Sequence, residues 1–197
     1  MNFENSTQIP TLYSRSNQTM FKGTKVQLRS LELDDAAVIN QLYNHLEARR
    51  FLDDISPLSQ EDIEEWIRTT WESRKAHRSY FFIIERLKPK QILGVCGLFA
   101  ISPINQKAEL MIAIYNKRDW GKGYGTEALH LLLKFGFQQL NLHRILLFTH
   151  DINTRAQHIY EQIGFKPSGR RRHASFFEGT YHDILLYDML VSEFQAD

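Results

Sequence analysis

From Ala108 to Gly125 the chain reads AELMIAIYNKRDWGKGYG, an apolar run that passes through a short polar turn into three glycines at alternate positions, Gly121, Gly123 and Gly125, with Lys122 among them. Glycine lets a backbone curl where a side chain would block it. The segment that follows, TEALHLLLKFGFQQL, has helical spacing, so its unpaired N–H groups and positive dipole end face whatever the glycines enclose. Phosphate binding is the chemistry this arrangement offers. WGKGYGTEA lacks the GxxxxGK[ST] spacing that Mg²⁺-nucleotide hydrolysis needs. The glycines also alternate as GxGxG where a dinucleotide fingerprint needs GxGxxG, and no strand ending in an acid follows about 20 residues later.

The surrounding periodicities predict the elements that must position this turn. Val26, Leu28 and Leu31 alternate as a first strand, and Asp34–Asp35 open a helix whose Val38, Ile39, Leu42 and Leu46 have helical spacing. A second helix starts at Ser59 as N-cap, with Glu61 and Asp62 in its first turn and Ile63, Trp66, Ile67 and Trp71 on one face. Strand-like runs at 79–85, 92–101 and 108–115, separated by KPKQ and SPINQK, read as an antiparallel meander. The helix after Gly125 extends to about Leu140, RILLFTH (144–150) is a strand, and Asn153 to Ile163 is a helix stopped by Gly164. Two strands around Phe165–Phe176 and Tyr181–Val191 close the chain, with Glu178–Gly179 at their turn. This order predicts an α+β fold on one mixed, mostly antiparallel sheet, with parallel pairing needed only around the two late helices. Residues 1–20 are polar and aperiodic and read as a loosely attached arm, leaving 21–197 as one domain.

Bulk properties narrow the function classes. The 197 residues suit one large core, and with 43% hydrophobic residues, 24% charged residues and a formal net charge of +1, nothing demands a nucleic-acid or membrane partner. Cys96 is the one cysteine and lies in the apolar run ILGVCGLFAI, so it reads as a buried thiol in a reducing, cytoplasmic setting. The eight histidines show no metal-ligand spacing, and no metal is expected. Arg170-Arg171-Arg172-His173 reads as a solvated strand edge, without the interleaved aromatics of a nucleic-acid surface.

The glycine segment resembles the acetyl-coenzyme A loop of the GNAT acetyltransferase superfamily, whose pattern is [Q/R]xxGx[G/A] at the start of the helix after the fourth strand. Aligned as Trp120-Gly121-Lys122-Gly123-Tyr124-Gly125, it departs at the first position, where Trp120 stands as in the WGKGYxTEA version of the ribosomal-protein and small-amine branch. About 30 residues on, Asn153-x-x-Ala156-x-x-x-Tyr160-x-x-x-Gly164-Phe165 is similar to the family's second signature, NxxAxxxYxxxGF. The resemblance spans roughly residues 25–194. It implies a sheet splayed between its fourth and fifth strands, flanked by about four helices. Acetyl-CoA would bind there as co-substrate against Ile112, Ala113 and Ile114, its pyrophosphate on the Gly121–Thr126 amides, with Trp120, Lys122, Tyr124 and Asn153 also in contact.

Acetyl transfer to an amine needs an uncharged nucleophile, a stabilised oxyanion and a proton for the leaving thiolate. Glu109 interrupts an apolar strand just ahead of the cofactor edge and is the candidate base; the alternative is a strand-edge carboxylate facing solvent or an arginine. Tyr160 matches the family tyrosine that protonates the thiolate, and its alternative is a core tyrosine. Tyr181 and Asp183, in GTYHD, resemble positions near the acceptor. Asp53, Asp54, Glu61, Asp62, Glu64 and Glu65 would suit a cationic acceptor, or be a solvated helix face. By this resemblance the chain is an N-acetyltransferase working by direct attack in a ternary complex, with a protein N-terminal amine as acceptor or, alternatively, a polyamine. A catalytically silent coenzyme A-binding module is the reading from another class, and the presence of Glu109 with Tyr160 speaks against it. Unpaired sheet edges permit a homodimer.

Overall fold

The computed structural model describes residues 21–45 and 56–195. The arm at 1–20, the expected helix position Leu46 and the acids Asp53 and Asp54 lie outside the described residues.

The chain order is β1 (Val26–Ser30), a 3-10 turn at Leu33–Asp35, α1 (Ala36–Tyr43), α2 (Gln60–Lys75), β2 (Tyr80–Arg86), β3 (Gln91–Ser102) and β4 (Lys107–Ile114). A 3-10 turn at Lys117–Asp119 leads to α3 (Tyr124–Gln138), β5 (Arg144–His150), α4 (Thr154–Ile163), β6 (Lys166–Phe177) and β7 (Thr180–Leu190). The strands form one sheet in the order β1-β2-β3-β4-β5-β7-β6. Every neighbouring pair is antiparallel except β4–β5, whose parallel pairing follows from the crossover through α3. The expected mixed α+β sheet is the observed one.

Local chemistry sets the helix starts. Ser59 Oγ accepts the Asp62 N–H at 3.1 Å while the Asp62 carboxylate accepts the Ser59 N–H at 2.6 Å, a reciprocal cap that fixes the first turn of α2. Asp35, expected with Asp34 to open a helix, closes the 3-10 turn and is the N-cap residue of α1. Its carboxylate accepts the Glu32 N–H and two Arg29 N–H groups at 2.8 and 2.7 Å, while Arg29 Nε also donates to Glu85 at 2.9 Å. Burial pushes the Asp35 carboxyl up, and the Arg29 and Glu32 hydrogen bonds more than offset it, leaving it below the usual range.

The sheet has helices on both faces. Leu129, Leu132 and Leu133 of α3 pack against Leu28, Ile84, Leu98 and Ile145 on one side. On the other, Ile39 of α1 and Ile63 and Ile67 of α2 pack against Ile83 and Val95. Because both faces are covered, β3 is buried continuously from Leu93 to Leu98 and reads as an apolar run without alternation. The edge strand β6 is exposed along most of its length; Arg170 and Arg171 pair with Leu185 and Ile184 of β7, and the register breaks after them, between Arg171 and Ser175.

Candidate active site

β4 pairs with β5 only at Lys107–Arg144, Ala108–Ile145 and Glu109–Leu146. Beyond these, β4 continues to Ile114 on β3 and β5 continues to His150 on β7, so the two strands part and one edge of β4 is left without a strand neighbour. A cavity of about 610 Å³ fills the opening. Its walls are Leu110–Ile114 of β4, Phe148–His150 of β5, the glycine turn, and Asn153, Arg155, Ala156, Ile159 and Tyr160 at the start and inner side of α4.

The glycine turn is built by backbone conformation. Gly121 and Gly123 have φ of +71° and +82°, the left-handed region that costs glycine nothing, and a Cβ on Gly121 would meet only open space. Gly125, by contrast, lies inside α3 with ordinary helical backbone, and a Cβ there would meet Ile114 at 3.7 Å, an ordinary contact, so neither conformation nor space requires glycine at this position. The first intrahelical bond is Glu127 N–H to Gly123 O at 3.0 Å, which leaves the N–H groups of Tyr124, Gly125 and Thr126 without intrahelical partners at the end of a 15-residue helix. Together with the separated β4 edge, this arrangement fits an extended acyl carrier ending in phosphates: amide hydrogen bonds along the strand, anions at the helix end.

Glu127 anchors the turn from behind. Its carboxylate accepts the Thr24, Lys25 and Val26 N–H groups at 2.9, 2.8 and 2.7 Å and the Thr24 hydroxyl at 2.6 Å. Lys25 Nζ in turn donates to Lys122 O at 3.0 Å. Trp120 Nε1 donates to Ile114 O at 2.7 Å, fixing the indole at the end of β4, and the Arg155 guanidinium lies 3.5 Å from the centre of its ring.

Tyr160 is 8% exposed, and its ring packs at 6.0 Å from Phe165 and 6.1 Å from Tyr187. Burial pushes its phenol up to about 12, with Arg155 opposing and Tyr187 adding to the rise. Asn153 lines the cavity and caps α4, its side chain accepting the Ala156 N–H at 3.3 Å. Glu109 stands at the last β4–β5 pair, immediately before the cavity-lining run begins at Leu110. It pairs across the ladder with Phe99 and shares a face with Met111, both cavity residues. Cys96 is fully buried in the β3 core, where desolvation pushes its thiol up.

The structure thus brings Ile112, Ala113, Ile114, Trp120, Gly121, Gly123, Tyr124, Gly125, Thr126, Asn153 and Tyr160 to one cavity, with Glu109 at its edge. Lys122 does not line it; its ammonium lies 3.6 Å from the buried Asp119. Tyr181 and Asp183 are also elsewhere. Tyr181 is 61% exposed and packs on Phe176 and His173, while the Asp183 carboxylate is taken up by Arg170 and by the His173 N–H at 2.7 Å. Of the acidic group on α2, Asp62 is used in the cap and Glu64 pairs with Arg68 at 3.1 Å. Sequence reasoning missed Arg155 and Glu127. It also misplaced one register: the residue three before Gly121 is Arg118, not Trp120, so [Q/R]xxGx[G/A] is met in full by Arg118-Asp119-Trp120-Gly121-Lys122-Gly123, and the apparent departure disappears.

A mixed sheet opened beside its fourth strand, with an anion cradle at the mouth of the opening, defines an acyl-coenzyme A-dependent transferase. Residues 25–166 match the acetyltransferase (GNAT) domain, and the chain belongs to the GNAT acetyltransferase family. It is an N-acetyltransferase that uses acetyl-CoA. Spermidine N(1)-acetyltransferase of Vibrio cholerae is 28% identical over 171 residues, covering 87% of this chain and 96% of the relative. The crystal structure of spermidine N-acetyltransferase from Vibrio cholerae in complex with CoA and spermine superposes with a TM-score of 0.78 at 27% identity, covering 87% and 98% of the two chains. An uncharacterized N-acetyltransferase, p20, of Bacillus licheniformis is 28% identical over 174 residues, 86% of this chain and 95% of the relative. The fold is shared, at 20% identity and a TM-score of 0.76 over 89% and 97% of the chains, with a ribosomal L7/L12 alpha-N-protein acetyltransferase in complex with coenzyme A. Among the described residues no helix is long and apolar enough to cross a membrane, and no group of three His, Cys, Asp or Glu is placed to hold a metal ion.

Proposed function

We propose that a primary amine attacks the acetyl group directly in a ternary complex, with Ile112–Ile114, the Gly121–Thr126 turn and Asn153 holding the coenzyme. Bound there, acetyl-CoA supplies an activated thioester. The Glu109 carboxylate takes the proton that the ammonium must lose, directly or through a water, so that the nitrogen lone pair is free to attack. The Tyr160 hydroxyl, kept protonated by burial, gives its proton to the departing thiolate. The depth of Cys96 and its raised pKa support direct attack over an acyl-enzyme. The observation that carries the reading is the convergence of the β4 edge, the glycine turn and Tyr160 on one cavity. Glu109→Gln keeps the shape and removes the base, so kcat should fall about 100-fold with the Kd for acetyl-CoA unchanged. Stopped-flow and equilibrium binding separate the two; full kcat in the variant rejects the assignment.

For the acceptor, a polyamine is the reading that the relatives support, since spermidine acetyltransferases match nearly end to end. A protein N-terminal amine is the second reading, supported by the fold shared with the ribosomal-protein enzyme. A thiol-release assay with spermidine, spermine and unblocked peptides distinguishes them. Turnover of the polyamines alone establishes the first, turnover of peptides alone the second. Tight acetyl-CoA binding without turnover of any amine would defeat both.

A further inference from the structure

Arg155 occupies the second position of α4, directly after the capping Asn153 and Thr154, and lines the same cavity as the glycine turn. Among the described residues no carboxylate pairs with it, whereas Arg29, Arg86, Arg144 and Arg170 each meet one. Instead its guanidinium lies over Trp120, 3.5 Å from the ring centre, and that indole is itself fixed to the last residue of β4 through the 2.7 Å bond to Ile114 O. Burial draws the Arg155 pKa down, with the Tyr160 phenol opposing. Stacking engages the face of the guanidinium and leaves its N–H edge available, the edge that binds phosphate oxygens bidentately. Trp120 and Gly121 are adjacent in the chain, and Arg155 lines the same cavity as Gly121 and the first residues of α3, whose unpaired amides favour an anion.

We propose that Arg155, held on the Trp120 ring, is the side-chain cation that binds a phosphate of acetyl-CoA, complementing the backbone amides of the glycine turn. The inference rests on the acetyl-CoA reading of the cavity. It gives Trp120 a second role, as the support that sets where the cation stands, and it assigns to Arg155 the charge that the sequence suggested for Lys122.

The test is equilibrium binding by calorimetry of CoA, 3′-dephospho-CoA and pantetheine to the wild type, Arg155→Met, Arg155→Lys and Trp120→Leu. Methionine keeps the stem over the indole without the charge, and it should weaken CoA binding about tenfold or more, with a shallower salt dependence. Lysine should recover part of the loss as a point charge, and Trp120→Leu should lose less than Arg155→Met. A loss shared by CoA and 3′-dephospho-CoA assigns the pyrophosphate, and a loss confined to CoA assigns the 3′-phosphate. Unchanged CoA affinity in Arg155→Met overturns the proposal, as does an equal loss for pantetheine, which carries no phosphate and would report only a change of cavity shape. Failure of the wild type to bind CoA would remove the cavity reading itself.

Discussion

Tyr160→Phe is expected to lower kcat about 100-fold while leaving the Kd for acetyl-CoA within about twofold, because a positioned proton donor typically contributes two to four orders of magnitude. The effect should be chemical and not structural. The ring packs against Phe165 and Tyr187 and lines the cavity with Asn153 and Ile159, contacts that phenylalanine keeps. No hydrogen bond ties the hydroxyl to the described protein groups, so its removal orphans no partner. Burial suits this hydroxyl to proton donation, since desolvation disfavours the phenolate and moves the pKa up to about 12, so the proton is held throughout the neutral range. A donor with a raised pKa is the group deprotonated last, and wild-type kcat should therefore show no loss of this donor between pH 7 and 9. Single-turnover kinetics with thermal unfolding as a control check both halves. Full kcat in the phenylalanine variant, or a large fall in Tm accompanying the loss, would reject the role.

How far the site could be read in advance depended on whether a residue's role is set by its neighbours in the chain. Gly121, Gly123, Asn153 and Tyr160 belong to short segments whose spacing alone places them: left-handed turns before a helix, and one face of a capped helix. The meander of β2, β3 and β4 was legible for the same reason, since its turns are local. Arg155 was not, because its position has meaning only beside Trp120, on another element. Glu127 reads as an ordinary acid in the first turn of a helix, yet its partners lie 101 to 103 residues earlier. Asp183 illustrates the converse. The resemblance places it near the acceptor, while its carboxylate partners, Arg170 and the His173 amide, are set by strand register in the β6–β7 hairpin and not by composition. Lys122 sits in the motif while its side chain is drawn to Asp119, a buried acid whose position depends on Arg86 of β2.

Glu127→Ala should destabilise the protein by about 3 kcal/mol, since it strips the acceptor from three backbone N–H groups and a hydroxyl, each charge-assisted bond contributing about 1.5–3 kcal/mol where water cannot replace it. Thr24 and Lys25 are exposed and can turn to water, so most of the cost falls on the Val26 amide, whose residue is fully buried. For a domain of this size the loss corresponds to a fall in Tm of about 6–12 °C. The pH dependence gives an independent check. Burial raises the Glu127 carboxyl and the Thr24, Val26 and Lys25 donors more than offset it, so the folded pKa lies below the ordinary glutamate value. A carboxyl depressed in the folded state contributes stability that is complete above the unfolded pKa, about 4.3, and is lost as pH falls through the lower folded value. The gap between wild type and Glu127→Gln, measured by urea unfolding, should therefore be constant from pH 8 to 5 and narrow below about pH 4; parallel curves down to pH 3 would show that the carboxylate is not the anchor. Because Glu127 ties the residues at the start of β1 to the helix that follows the glycine turn, with Lys25 Nζ on Lys122 O beside it, the alanine variant should also bind CoA more weakly at temperatures where it remains folded. Loss of stability with undiminished CoA affinity would show that Gly121 and Gly123 hold the cradle by their own conformation, without support from β1.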